Sequence, residues 1–498
     1  MQSKQRTSTT RLSATGSMIW LALAVISTLS PQLATADSPA NGFWIRGAFM
    51  IDPATDGDPR HVDVRVEHGT IVRLQDAQGA AELGSQDLDA AGRFLVPGFI
   101  DTHAHISLGP VHVEIEDGAP AMKIERDAEV ERRSLLSLLA HGVTTVRDPG
   151  GNLDILASLK KELEQGDRVG PRLRIAGEVI DRTVFAGLTA SVDGPEAVRT
   201  EVRRQAAAGA DWIKLYTSLS REELRAGIEE ARAQGVRSVA HLQRISWTEA
   251  ADMGLDALVH GIPGSELLLP EAHRHDYLPD LHGTRFLYSW LEHVDFESPE
   301  IRDMLAAMKK AKMTVDLTLV AFDAMVRGDE PWRTRRMPEL EMAAPSLAEN
   351  WRTLFTFNVG WVPEDYTRAE KAWPRALQFA RLLHESGIHL TVGTDANNPW
   401  TVPGPSFHRE LELLAEAGFT PREILRMATR NGAESLGLDD EIGRIAPGYA
   451  ADLVLLDRDP LDDISASRDI VWVMRFGRVF KPADLNGQVL EGPVRNPS

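Results

Sequence analysis

Between Val96 and Asn431 short β-type runs alternate with helix-type stretches, and this alternation constrains the fold more than any other feature of the chain. The strand candidates are Phe94 to Ile100, Val143 to Arg147, Arg172 to Ile180, Trp212 to Tyr216, Ser238 to His241, Ala257 to His260, Met313 to Val320 and His389 to Val392. Helical periodicity fills the gaps, as in Ala128 to Ala140, Pro195 to Ala208, Arg221 to Gln234, Ser246 to Met253, Ala376 to Ser386 and Pro421 to Thr429. Some of these open on Ser or Thr and several close on Gly. Strand then helix, repeated eight times, predicts an α/β fold, a parallel (β/α)8 TIM barrel over residues 96–431. That stretch exceeds the ~250 residues typical of the fold, so insertions are expected in the βα loops at 261–310 and 321–375. The second carries Trp332, Trp351, Trp361 and Trp373, which either line a lid or pack an extra helical layer.

The ends of the chain have a different rhythm. Residues 43–95 and 432–485 hold short apolar runs separated by turn residues, with His68-Gly69 as a hairpin turn, and are expected to join as one small β-sandwich domain. Residues 486–498 read as a tail. Residues 1–36 combine Lys4, Arg6 and Arg11, an apolar run from Met18 to Leu29 and the small-x-small pattern Ala34-Thr35-Ala36. This predicts a signal peptide cleaved after Ala36 and a periplasmic or secreted product. The run is shorter than the ~20 residues that span a bilayer, so no stable membrane insertion is expected after its removal.

Composition removes other classes of function. The formal net charge is -19, from 54 basic and 73 acidic residues, which repels nucleic acid and anionic membranes. The partner is instead expected to be a small molecule, and homo-oligomerisation stays open. With no Cys in the chain, thiolate zinc sites, disulfides and cysteine catalysis are excluded.

In a barrel of this kind the active site forms where strands end at their carboxyl edge. Those positions hold His103 and His105 after the first strand, Lys214 in the fourth, His241 at the end of the fifth, His260 at the end of the sixth, and Asp395 beyond the eighth. A His-x-His pair in a strand puts both rings on one face. Imidazoles and a carboxylate without thiolates suit an open catalytic site for zinc or a similar divalent ion.

The segments Val96 to His105 (VPGFIDTHAH), Gly142 to Asp148 (GVTTVRD), Gly209 to Tyr216 (GADWIKLY), Ala240 to Leu242, Val259 to Gly261, Gly393 to Asp395 and Ala446 to Val454 (APGYAADLV) together resemble the amidohydrolase superfamily. The nearest branch is similar to imidazolonepropionase-related enzymes that include metal-dependent dipeptidases of the prolidase kind. The resemblance covers roughly residues 43–480. It implies that His103, His105 and Asp395 hold one metal ion and His241 and His260 a second, with Lys214, carboxylated on its amine, bridging both. The alternative for Lys214 is an ordinary cation paired with Asp395 in a one-metal site. The ions implied are zinc, with manganese or another divalent ion as alternative. The implied reaction is hydrolysis of an amide or peptide bond by a metal-bridging hydroxide, with Asp395 as general base and then acid. Dipeptides or N-acyl amino acids are the expected substrates. Tyr216, Arg147 and Arg244 are candidate substrate contacts, and Arg182 also lies near a strand end.

Other readings compete. A one-metal deaminase of the superfamily needs a catalytic acid soon after the fifth-strand histidine, whereas His241 is followed by Leu242-Gln243-Arg244. Imidazolonepropionase itself fits poorly with export. Lactone, ester or phosphotriester hydrolysis would use the same nucleophile. A non-catalytic exported metal-binding protein would be expected to have lost a ligand.

Overall fold

The computed structural model describes residues 42–491 apart from 78–82, 117–118, 282, 329–335, 337 and 359. The expected signal peptide, Trp332 and residues 492–498 lie outside the described residues. Those described belong to the compact unit Thr35–Ser498.

The inner strands are Phe99–Asp101, Val143–Asp148, Arg172–Ile175, Trp212–Leu215, Arg237–Ala240, Ala257–Val259, Thr314–Asp316 and His389–Thr391. They run parallel and in chain order, so the architecture is α/β and TIM-barrel-like. The ladder is not a closed ring. The first three strands form one sheet, and the last five join the short strands Val179–Asp181 and Thr189–Ser191 in another. Single parallel bridges, Ala176 to Trp212 and Ala104 to Ala396, connect the two. The second seam is reinforced from the side chains: Asp101 accepts hydrogen bonds from the amide of His103 (3.0 Å) and the hydroxyl of Thr394 (2.7 Å). A buried carboxylate thereby ties the start of the barrel to its end.

Helices cover this sheet because their apolar faces repeat at helical spacing and their first turns are capped. Ser220 and Glu223, Ser246 and Glu249, and Thr420 and Glu423 each form a reciprocal capping box. Leu135, Leu139, Leu156, Leu224, Trp247 and Phe379 are buried in one core with Phe99, Val146 and Leu215. Among the described residues no helix is long and apolar enough to cross a membrane.

Three sequence expectations shift here. The run Phe94 to Ile100 is two strands, because at Gly98 the chain leaves an outer sheet and enters the barrel; a Cβ there would lie 2.2 Å from Thr144 Oγ1. The run Arg172 to Ile180 divides into Arg172–Ile175 and Val179–Asp181. The run Met313 to Val320 ends as a strand at Asp316, and Leu319–Val326 is a helix. Thr318 takes a left-handed turn (φ 47), and the buried carboxylate of Glu410 accepts the amide hydrogens of Leu319 (3.0 Å) and Val320 (2.6 Å). That capping satisfies the helix start and overrides the strand preference of an apolar run.

The two ends of the chain do join. Strands Phe43–Met50, Arg60–Glu67, Thr70–Asp76, Leu88–Asp89 and Phe94–Pro97 pair into the same sheet as Leu453–Leu456, Ile470–Arg475 and Arg478–Phe480. The junction is the antiparallel pairing of Phe94–Pro97 with Leu453–Leu456. The described strands form one eight-stranded sheet with its own core around Ile45, Val64, Leu95, Leu455 and Met474, where the sequence suggested a two-sheet sandwich. Residues 486–491, read as tail, continue the helix Pro482–Glu491, which buries Leu485 and Val489. Arg132 of the first barrel helix donates to the Gln488 carbonyl at 2.7 Å.

Candidate active site

The carboxyl edges of the inner strands surround a cavity of about 360 Å³ whose wall includes His103, His105, Lys214, Tyr216, His241, His260 and Asp395. The histidine rings form a continuous series, with centroids 5.3 Å apart for His103 and His105, 5.0 Å for His103 and His260, and 4.5 Å for His241 and His260. Asp395 Oδ1 lies 3.1 Å from His103 Nε2 and 3.2 Å from His105 Nε2. His103, His105 and Asp395 thus bring three ligand atoms within 4.8 Å of one another.

The imidazoles are oriented from behind. His103 Nδ1 is 2.9 Å from Asp316, His105 Nδ1 is 2.8 Å from the Gly150 carbonyl, and His260 Nδ1 is 2.8 Å from the Thr318 hydroxyl. A histidine whose Nδ1 donates outward presents an Nε2 lone pair on the other side, the usual arrangement of a metal-ligating imidazole. His241 differs, since its buried Nδ1 has no hydrogen-bond partner. An orphaned nitrogen in such a cluster has an unmet need for a proton or a cation. The donor set therefore fits a divalent ion.

Local backbone supports the same conclusion. His103 and His105 lie just beyond the first strand, on either side of Ala104, which bridges to Ala396. The pair shares a side through that short extended segment rather than within the strand itself. His260 (φ 69) and Asp395 (φ 57) are both left-handed, a costly conformation for residues with side chains that concentrates at functional sites. Asn398 donates to Asp395 Oδ1 at 2.7 Å.

Burial and neighbouring charge shape the titration. Burial opposes ionisation of Asp395, but the charge of His103 and hydrogen bonds from His103 and His105 outweigh it and hold the carboxyl well below the usual range. Burial also disfavours His105 as a cation, yet its interactions with Asp148 and Asp395 push it up to about 10. A carboxylate between two imidazoles demands positive charge at that spot. Burial, followed by the charge of Lys214, pushes His241 down to about 3. Burial, followed by the charge of His241, holds His260 well below its usual value. Lys214 is 2% exposed, and burial pushes its amine down to about 7. Among the described residues no carboxylate reaches ion-pair distance of its ammonium, so the simple pairing with Asp395 is not observed.

The other sequence candidates separate. Tyr216 lines the cavity, its ring 5.0 Å from that of His241. Arg147 does not. Its guanidinium is buried, 2.7 Å from Asp316 and stacked 4.6 Å over Trp212, so it holds the second strand against the seventh. Arg244 is exposed and absent from the described cavity wall. Arg182 pairs with Glu223 at 2.8 Å. The lid tryptophans pack instead of lining the site: Trp351 and Trp373 are buried in hydrophobic clusters, with Trp361 packed against one of them.

Sequence reasoning missed Asp316, the buried acid that orients both His103 and Arg147. Its signal was a lone acid inside the apolar run Met313 to Val320. It also missed the phenylalanines of the cavity wall, Phe185, Phe286, Phe322, Phe355 and Phe357.

The amidohydrolase family model matches residues 94–262 and 342–480, more than half of the chain. The chain belongs to the amidohydrolase family. Members related to this amidohydrolase include ochratoxinase from Aspergillus niger, 24% identical over 433 residues, covering 78% of this chain and 75% of the relative. Imidazolonepropionase from Streptomyces avermitilis is 23% identical over 483 residues, covering 90% and 92%. Among solved structures, a Xaa-Pro dipeptidase with methionine bound in its active site shares the fold with a TM-score of 0.64 at 20% identity, covering 88% of this chain and 100% of that one. Hydrolysis of carbon–nitrogen bonds is thus the general chemistry of this amidohydrolase's family.

Proposed function

We propose that this amidohydrolase hydrolyses an amide bond at a centre of two divalent ions, zinc in the first instance, held by His103, His105, His241, His260, Asp395 and a carboxylated Lys214. The observation that carries the reading is the convergence of four imidazoles on Asp395 and Lys214 at the head of the cavity, three of them oriented by an outward Nδ1 contact. When bound, the ions supply Lewis acidity and bring the pKa of a coordinated water toward ~7.

The chain's own groups do the rest. Asp395 Oδ1 is engaged by both imidazoles and Asn398, while Oδ2 has no hydrogen-bond partner among the described residues. Oδ2 is the atom placed to take the proton of the attacking water and return it to the departing nitrogen. As the new C–O bond forms and the C–N bond breaks, that proton leaves with the amine. Tyr216 keeps its phenolic proton, because burial raises its pKa further above neutrality, and can donate a hydrogen bond to the carbonyl oxygen as it gains charge. Lys214, with its amine brought down to about 7, offers the neutral nitrogen that carbon dioxide requires. A carbamate there would give two oxygens in place of an ammonium that repels cations.

The test is an amide assay on chelator-stripped protein, reloaded with zinc in bicarbonate buffer. Stripping is expected to abolish hydrolysis and reloading to restore it; undiminished turnover after stripping would sink the proposal. We further place the enzyme in the periplasm or medium on the strength of residues 1–36. A mature N-terminus at Asp37 supports that location, and a cytoplasmic protein retaining Met1 contradicts it.

A further inference from the structure

Resting on that reading of the site, we infer that the substrate is a neutral amide with a bulky aromatic group beside the scissile bond, and that amides bearing a free carboxylate are rejected. The first ground is the wall facing the histidines. Phe322 lies 6.0 Å from the His260 ring, and Phe355 and Phe357 pack edge to face at 5.7 Å on the same cavity. Phe286 and Met325 extend the apolar surface.

This surface is held in place. Asn358 is buried and donates to the Met325 carbonyl at 2.7 Å, and Thr284 donates to the Phe357 carbonyl at the same distance. The first bond braces the insertion 321–375 internally, and the second ties it to the insertion 261–310. A preformed aromatic wall binds an apolar ring without first ordering itself.

The second ground is electrostatic. Each arginine near a strand end is committed elsewhere or lies off the cavity: Arg147 to Asp316, Arg182 to Glu223, and Arg244 on the exposed surface. Among the described residues Lys214 is the only lysine or arginine on the wall, and it stands among the histidines. Other polar groups on the wall, including Thr183, Gln243 and Thr284, are neutral. Away from the metal-binding cluster, a substrate carboxylate would lose its water without gaining a lysine or arginine partner among the described residues. The net charge of -19 also repels an approaching anion. Hydrolysis would then release a carboxylate and an amine, ionised at neutral pH, whose substituents are apolar.

Two amides with the same scissile bond isolate the effect: N-(phenylacetyl)phenethylamine and N-(phenylacetyl)phenylalanine, which differ only by the carboxylate. With the zinc-loaded enzyme, kcat/KM should favour the neutral amide by about tenfold or more. Equal values, or a preference for the acid, overturn the inference. Binding is measured separately on the same holoenzyme by calorimetry, using the benzylsulfonyl analogues of the two compounds, which have no acyl carbon to attack. Tighter binding of the neutral analogue with no hydrolysis of either amide sustains the substrate class and refutes amide cleavage. Equal binding, tighter binding of the acid, or no binding of the neutral analogue refutes the class whatever the turnover. Phe355→Arg adds a cation to the half-buried wall and should shift the kcat/KM ratio at least about tenfold toward the acid; an unchanged ratio would show that this wall does not discriminate.

Discussion

Asp395→Asn is expected to lower kcat for amide hydrolysis by about 10⁴-fold while leaving the thermal unfolding of the protein nearly unchanged. The substitution keeps the shape and the hydrogen-bonding capacity toward Asn398, but removes the charge that lies 3.1 Å from His103 Nε2 and 3.2 Å from His105 Nε2. It also replaces Oδ2, the atom proposed to carry the proton, with either an amide nitrogen or a weakly basic carbonyl oxygen. Steady-state kinetics on the zinc-loaded variant check this. A loss confined to KM would mean that Asp395 serves binding, and turnover within about tenfold of wild type would remove it from the chemistry.

Lys214→Ala should cost activity through a different route. Removing a cation from a pocket already crowded with donors would ordinarily favour metal binding, because like charge is taken away. The account predicts the reverse: metal content falls, and turnover falls with it by about a thousandfold, because a bridging carbamate has been lost. Elemental analysis and kinetics on the same preparation decide between these. A variant that keeps all its metal and most of its activity would make Lys214 a structural amine.

The geometry explains why some of this was legible beforehand. His103, His105, His241, His260 and Asp395 stand within four residues of strand ends, where the α/β rule aims functional groups, so position in the chain was enough to gather them. Asp316 occupies an equivalent place, but the apolar residues after it made the run look like one long strand. The helix that interrupts it depends on Glu410, 91 positions from Leu319. Arg147 shows the same limit. A strand-end arginine reads as a substrate contact until its partner is known, and that partner, Asp316, is 169 positions away. The aromatic wall was illegible for another reason. Except for Phe185, its members lie in insertions braced by tertiary hydrogen bonds such as those of Asn358 and Thr284, not by a local period.

The outer sheet reverses the pattern. Its strands were evident from alternation, but their pairing was not, because nothing local tells Leu453–Leu456 to lie beside Phe94–Pro97. Likewise, the final helix was divided between the β-domain and the tail, because Leu485 and Val489 are its only buried residues.

Counting ions decides the central question. After reconstitution with zinc and bicarbonate and removal of loosely held metal, elemental analysis should find about two ions per chain. One ion or fewer, bound firmly in a fully folded preparation, would contradict a shared pair of cations among the four histidines, Lys214 and Asp395.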